Sequence, residues 1–173
     1  VASALEQAVH QVDLDCTNND SAALTAWNQA YALYTGSLAE LDEPLGGYFL
    51  YRLAQQQAEI FGTTPHGQEA PLNAEMMDKF VQGKQMIQDC RTNTTELRTL
   101  VDRMLALLRV PVLQGALRQM YAFDEEGERR PVSQGEAAVF GVTAAGIVAL
   151  CSEGFAQVVW DDLRYGKQAQ GSY

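Results

Sequence analysis

The chain has little basic charge, few histidines and few cysteines. Its 173 residues carry 12 Lys and Arg against 22 Asp and Glu, which gives a net charge of −10. An acidic chain offers no positive patch to nucleic acid and is repelled by anionic membranes, so cations and basic surfaces are the partners that its charge favours. Two histidines provide few general bases, and the sequence contains no Gly-x-Ser-x-Gly turn and no phosphate-binding glycine loop. We therefore expect a protein that is not an enzyme.

Long hydrophobic runs are also missing. No apolar run reaches the roughly 20 residues that cross a bilayer, so we expect no membrane insertion. The longest run, from Ala137 to Cys151, is interpreted as a core helix. No basic segment followed by an apolar one opens the sequence, and we expect that any signal peptide has already been removed or was never part of this sequence.

Three cysteines allow at most one internal disulfide. We predict a bridge between Cys16 and Cys90, because both lie in polar junctions between predicted helices. Cys151 lies in the apolar helix and is predicted to be a buried free thiol. Glycosylation sequons begin at Asn19 and Asn93, and together with the cysteines they favour a secreted protein.

Apolar residues recur at helical spacing along almost the whole chain, and no alternating strand pattern of useful length occurs. We predict one all-α, bundle-like domain of about six to eight helices over residues 1–173. Gly36 and Gly62 are predicted to end the second and third helices. The predicted N-terminal caps are Asp20, Asn73, Asn93 and Ser133, the last in a capping box with Glu136.

Two further expectations concern the second half of the chain. Pro111 is predicted to break or kink the run from Asn93 to Phe123, or to open a sixth helix as its first residue. The helix from Glu136 to Cys151 is expected to be the most buried element. Small residues in it would allow neighbouring helices to approach closely: Gly141, Ala145 and Gly146.

Two loops could hold a hard metal ion. Asp42 and Glu43 lie in an acidic loop before the third helix, and His66 and Glu69 lie in the proline-bounded loop after it. A helix of about 14 residues separates the loops by roughly 20 Å, so we treat them as alternative sites, with the acidic loop first. The alternative interpretation is that these side chains form a solvated surface.

Tyrosine is the remaining candidate ligand, because phenolate is a hard donor suited to ferric iron. Tyr48 and Tyr51 lie one turn apart at the start of the third helix. The position of the tyrosines on apolar stripes favours the other interpretation, in which they are core aromatics with a polar tip. This group comprises Tyr31, Tyr34, Tyr51 and Tyr121.

Several short segments, in order along the chain, match the pattern of one known family. Trp27 followed by Tyr34-Thr35-Gly36-Ser37-Leu38 resembles its opening signature, and Leu50-Tyr51-Arg52-Leu53-Ala54 with Phe61 resembles its next helix. Asn73, Phe80 and Gly83 come next, before Val110-Pro111-Val112-Leu113-Gln114-Gly115-Ala116-Leu117-Arg118 with Tyr121, and then Glu136, Phe140 and Cys151-Ser152. Together they resemble the algal iron-assimilation proteins, also called low-iron-inducible periplasmic proteins. The family has further cysteines where this chain has Ala58 and Thr64.

The resemblance implies a secreted, periplasmic or cell-surface protein that is induced when iron is scarce and helps its uptake, often with the domain repeated in a longer chain. Our leading hypothesis is an extracellular, non-enzymatic iron-assimilation protein that binds ferric iron (Fe3+) or assists its delivery. The alternative is a structural or protein-interaction module of an extracellular assembly. The expected partner is accordingly a metal cation or an extracellular protein.

Overall fold

The computed structural model describes residues 1–14, 22–36, 49–89, 94–124 and 130–165. These residues form seven α-helices and no β-strand, which confirms the predicted all-α class. The chain separates into two compact units, Val1–Leu108 and Arg109–Tyr173, and the single domain stays a prediction. The helices are α1 (Ala2–Leu14), α2 (Ala22–Thr35), α3 (Leu50–Ile60), α4 (Pro71–Asp89), α5 (Thr94–Asp124), α6 (Pro131–Ala149) and α7 (Glu153–Leu163).

The first unit is built around aromatic residues of α2 and α4. Trp27 is almost fully buried, and its indole N–H donates to the Phe80 carbonyl over 3.0 Å. The two helices approach closely at Gly83, where a Cβ would lie 2.1 Å from the Trp27 ring. Leu5 of α1 and Met104 of α5 are fully buried in the same core. Burial of these large side chains contributes most of the stabilisation of this unit.

The second unit packs α6 against α7 through small residues. The buried stripe of α6 has helical spacing and consists of Ser133, Ala137, Gly141 and Ala144. A Cβ at Gly141 would lie 2.6 Å from the Leu163 Cβ, so the predicted role of Gly141 in close approach is confirmed. Gly146 is exposed with no described atom within 4 Å of its Cβ position, and its predicted role is wrong.

The prediction for α6 as the most buried element is also wrong. Only 17% of its most apolar window is buried, although the helix is long and apolar enough to cross a membrane. Val132, Val139 and Leu150 are 73%, 69% and 72% exposed. A helix that is apolar all round has no periodic signal for its buried face. Here small residues occupy the fully buried positions, while Val132, Val139 and Val142 lie outside. Cys151 is free but exposed, which corrects its predicted burial.

Pro111 does not divide its helix. Helix α5 continues from Thr94 to Asp124 with Pro111 inside it, so the predicted start of a separate helix is wrong. Proline removes one backbone hydrogen bond and costs about 3 kcal/mol in a helix interior. Pro111 is itself fully buried, and buried Leu107 and Ala116 flank it within the same helix. Burial of these side chains along α5 offsets the cost of the missing hydrogen bond. The rule that proline ends a helix does not take such burial into account.

The predicted caps have mixed outcomes. Gly36 and Gly62 have φ of 65° and 66°. Gly36 directly follows α2, and Gly62 lies two residues after the last residue of α3, as predicted. Asn73 lies inside α4 rather than before it, because Pro71 begins the helix two residues earlier. Ser133 likewise lies within α6, which begins at Pro131. Asp20 and Asn93 lie outside the described residues.

Candidate functional site

Three polar side chains share one face of α3. Tyr51, Gln55 and Glu59 recur every four residues, so they follow one another along the helix axis. The chain leaves α3 through Phe61 and Gly62, and a second positive φ, of 80°, occurs at Gly67. Glycine adopts such angles without the steric cost that other residues carry. These turns return residues 63–70 along the polar face of α3.

Hydrogen bonds join the loop to α3 in antiparallel order. His66 Nδ1 lies 3.0 Å from Glu59 Oε2. The side-chain NH2 of Gln55 donates to the Gln68 carbonyl over 2.6 Å and to Glu59 Oε1 over 2.8 Å. The side-chain oxygen of Gln55 accepts from the backbone N–H of residue 70 over 2.8 Å. The Tyr51 hydroxyl donates to Glu69 Oε1 over 2.8 Å. Glu69 is therefore held at the first turn of α3.

The Tyr51 end of this network continues into the core. Tyr34 of α2 is fully buried, and its hydroxyl donates to Asn73 Oδ1 over 2.6 Å. The Asn73 amide in turn donates to the Tyr51 carbonyl over 3.0 Å. The rings of Tyr34 and Tyr51 meet edge to face, with their centroids 6.1 Å apart. The position of Tyr51 is thus fixed by α2 and α4 as well as by the loop.

Burial raises the pKa of both phenols above their ordinary value. Burial, followed by the hydrogen bond to Glu69, raises the pKa of Tyr51 to about 12. Burial raises the pKa of Tyr34 still further, with smaller effects from Tyr51 and Glu69. At the other end of α3, hydrogen bonds from Gln55 and His66 lower the pKa of Glu59. The Tyr51 hydroxyl therefore keeps its proton and donates it in the hydrogen bond to Glu69.

The predicted pair His66 and Glu69 is not brought together as one site. His66 pairs with Glu59, Glu69 pairs with Tyr51, and these partners are eight residues apart on α3, about 12 Å along its axis. The side chain of His66 is 94% exposed. No group of three or more His, Cys, Asp or Glu residues that could hold a metal occurs in the described part of the chain.

The other predicted site residues lie outside the described residues. They comprise the acidic-loop ligands Asp42 and Glu43, the disulfide pair Cys16 and Cys90, and the sequon residues Asn19 and Asn93. Those assignments stay predictions.

Sequence patterns missed the roles of Gln55 and Asn73 and the pairing of Tyr51 with Glu69. The Tyr51, Gln55, Glu59 spacing was a usable signal for a polar helix face. The partners of that face depend on the reversal of the following loop, for which the sequence offered only Gly62 and Gly67. Comparisons of the chain with protein-family models, with curated proteins and with solved structures found no match.

Proposed function

We propose that this protein is an extracellular, non-enzymatic iron-assimilation protein that binds ferric iron at the Tyr51–Glu69 pair, or assists its delivery there. One observation carries the proposal: a phenol and a carboxylate lie 2.8 Å apart on a surface-accessible turn, held by a network that reaches the core. The resemblance to the algal iron-assimilation proteins supports the same function and the secreted, periplasmic or cell-surface location. The net charge of −10 favours the approach of a cation.

The chemistry of the pair suits a hard, highly charged ion. Phenolate and carboxylate oxygens are hard donors, and a ligand must lose its proton before it binds metal. With a pKa of about 12, Tyr51 retains its proton until a strongly polarising ion displaces it. Binding should therefore release a proton and strengthen as pH rises. Two protein ligands leave the other positions of the ion to water or to a chelating anion.

The test uses the visible charge-transfer absorption of a ferric phenolate. Ferric nitrilotriacetate is titrated into the protein, and we expect absorbance to saturate at one ion per chain. Tyr51→Phe should abolish the band and Glu69→Gln should weaken binding. Tyr121→Phe is the matched control, because Tyr121 is exposed on α5 in the other unit. A band that survives in Tyr51→Phe would contradict the assignment of the ligand.

A second variant separates this pair from the acidic loop. Asp42→Asn with Glu43→Gln removes two charges there and keeps side-chain size. If this double variant alone loses ferric binding, the ion is held by the acidic loop and the Tyr51–Glu69 site is wrong. If calorimetry with a competing chelator detects no heat above that of an unrelated acidic protein, the iron-binding function itself is wrong.

The second candidate function is a structural or protein-interaction module of an extracellular assembly. The observation that favours it is the number of large apolar side chains exposed on and beside α6 and α7, since such side chains mark an interaction site where they form one patch. This set comprises Val132, Val139, Val142, Leu150, Phe155, Val158, Trp160 and Tyr165. Sedimentation velocity shows whether the protein self-associates. Under this function, Val139→Asp should convert an assembled species to monomer without changing the result of the iron titration.

A further inference from the structure

One face of α6 is apolar and regularly spaced, and no charged residue lies in it. Its six positions recur at alternating intervals of three and four residues, and we call them the α6 stripe: Val132, Gly135, Val139, Val142, Gly146 and Ala149. All three valines are more than half exposed. The small buried residues of α6 lie on the opposite side of the helix. Alternating steps of three and four residues are the spacing at which two helices pair side by side.

The polar side chains at the border of the α6 stripe have partners within the second unit. The Thr143 hydroxyl donates to the Val139 carbonyl over 3.1 Å. The Gln119 amide donates to Glu136 Oε2 over 3.3 Å. Contact with another apolar surface therefore removes the valine side chains from water and leaves these two polar side chains with their partners.

The two glycines of the α6 stripe determine how closely a partner can lie. No described atom lies within 4 Å of the Cβ position of Gly135 or of Gly146. A second helix can therefore approach to the lower end of the usual interaxial range of about 8–10 Å. Its side chains then fill the space over the glycines, while the valines on either side of each glycine enclose them. A long, straight ridge of this kind is presented by a helix.

We propose that the α6 stripe pairs with the α6 stripe of a second copy of this chain, in antiparallel orientation. The register that matches the two stripes places these residues opposite each other across the contact: Val139 and Val142, Gly135 and Gly146, and Val132 and Ala149. Each pair occurs twice because the contact is symmetric, and antiparallel helices oppose their dipoles. Every position of the stripe thus meets an apolar residue, and no charge is buried.

The size of the α6 stripe predicts a weak and reversible dimer. The exposed valines and the helix surface between them present roughly 400 Å² on each copy, so a pair buries roughly 800 Å², less than the about 1,200 Å² of a stable interface. The net charge of −10 on each copy also opposes association. We therefore expect a Kd of roughly 10–100 μM, and tighter association as salt screens this repulsion.

This inference rests on the second candidate function, because it names the partner of the proposed interaction module. It does not depend on iron binding. Sedimentation velocity tests it over protein concentrations from about 5 to about 500 μM, at low and at high salt. Wild type should pass from monomer to dimer within this range. Val139→Asp should weaken the association at least ten-fold. Val81→Asp is the matched control, because Val81 is exposed on α4 in the first unit, and it should leave the association unchanged.

A mixture of two charged variants tests the antiparallel register. Val139→Lys and Val142→Asp should each be monomeric alone, because each would bury unpaired charges in its own dimer. Mixed in equal amounts they should associate at least ten-fold more tightly than either variant alone, because the lysine of one chain then faces the aspartate of the other. Val132→Asp is the control partner for Val139→Lys, since its charge lies on the same stripe but does not face position 139. Circular dichroism checks that every variant folds.

Four results would overturn the inference or its register. A dimer that survives in Val139→Asp would mean that the chain self-associates through another surface, so the inference would be wrong while the interaction function stands. A wild type that stays monomeric at the highest concentration would overturn the inference and exclude self-association as that function. Association that high salt abolishes would mean that charges, rather than the α6 stripe, join the copies. Equal rescue of Val139→Lys by Val132→Asp and Val142→Asp would contradict the antiparallel register.

Discussion

The hydroxyl of Tyr34 donates to Asn73 Oδ1 over 2.6 Å, and 39 positions separate the two residues in the chain. Both side chains are fully buried, so neither has water as an alternative partner. Asn73 also donates to the Tyr51 carbonyl, and this amide therefore connects α2, α3 and α4. A buried polar group of this kind stabilises the fold only while all its partners are present.

Removal of either partner of this bond should be costly. We expect Asn73→Ala to lower the free energy of unfolding by roughly 2–4 kcal/mol, because it leaves the Tyr34 hydroxyl buried without an acceptor. Tyr34→Phe should cost roughly 1–3 kcal/mol for the converse reason. Urea unfolding of both single variants and the double variant gives the coupling energy, which we expect to reach about 1 kcal/mol. Strictly additive losses would show that the bond contributes nothing of its own.

Alkaline pH should destabilise the first unit through the same group of tyrosines. A phenol whose pKa is higher in the folded than in the unfolded protein contributes its full stabilisation at pH values below its unfolded-state pKa. This stabilisation is lost as the pH rises through its folded-state pKa. For Tyr51 these values are 10.0 and about 12, and the pKa of Tyr34 is also raised. Wild type should therefore lose more stability across this window than Tyr51→Phe does. Tyr121→Phe should decline as wild type does, and identical profiles for wild type and Tyr51→Phe would contradict the assignment.

Gly83 should not tolerate a methyl group. A Cβ there would lie 2.1 Å from the buried Trp27 ring, and overpacking of this kind costs about 1–3 kcal/mol. Gly83→Ala should therefore destabilise the chain and alter Trp27 fluorescence, although alanine is the better helix former. Gly146→Ala is the control, since no described atom lies near its Cβ position, and it should gain about 0.5–1 kcal/mol. A stable Gly83→Ala with unchanged fluorescence would contradict this packing.

One buried polar atom should be dispensable. Gln57 Oε1 is buried and has no hydrogen-bond partner among the described residues. An unsatisfied buried amide oxygen is costly, so Gln57→Met should raise the free energy of unfolding by about 1 kcal/mol in thermal or urea unfolding. Gln56→Met, at the exposed neighbouring position, should stay within about 0.5 kcal/mol of wild type. A clear loss of stability in Gln57→Met would mean that its oxygen has a partner in solution.

The helices were predictable where local chemistry decides the structure. Helical periodicity predicted the all-α class, and Gly36 needs the positive φ that its position after α2 imposes. Ser133 failed as a cap because Pro131, with its fixed φ, begins the helix two residues before it. Pro111 failed as a helix boundary because burial along α5 outweighs one missing hydrogen bond.

The candidate site was only partly predictable, because its pairs are distant in sequence. His66 and Glu69 were predicted to be alternative metal ligands in one loop, but in the structure each pairs with a residue of α3, Glu59 and Tyr51 respectively. Their role as metal ligands stays a prediction. Tyr51 and Glu69 are 18 residues apart in the sequence, and the turns after α3 bring them into contact. No sequence pattern specifies the direction in which the chain runs after such turns. Charge and residue type thus indicated candidates, while tertiary packing determined the pairs.

The orientation of α6 can be tested with one charge placed on its two faces. Ala137 is fully buried and Val139 is 69% exposed, although the residues are only two positions apart. Ala137→Asp should cost several kcal/mol, because it places a carboxylate without a partner in the buried cluster of the second unit, while Val139→Asp should stay within about 1 kcal/mol of wild type. Thermal unfolding followed by circular dichroism measures both, and the introduced charge is the same. Comparable losses in the two variants would show that Val139 is covered in solution, and the reverse order would show that α6 packs through its large residues.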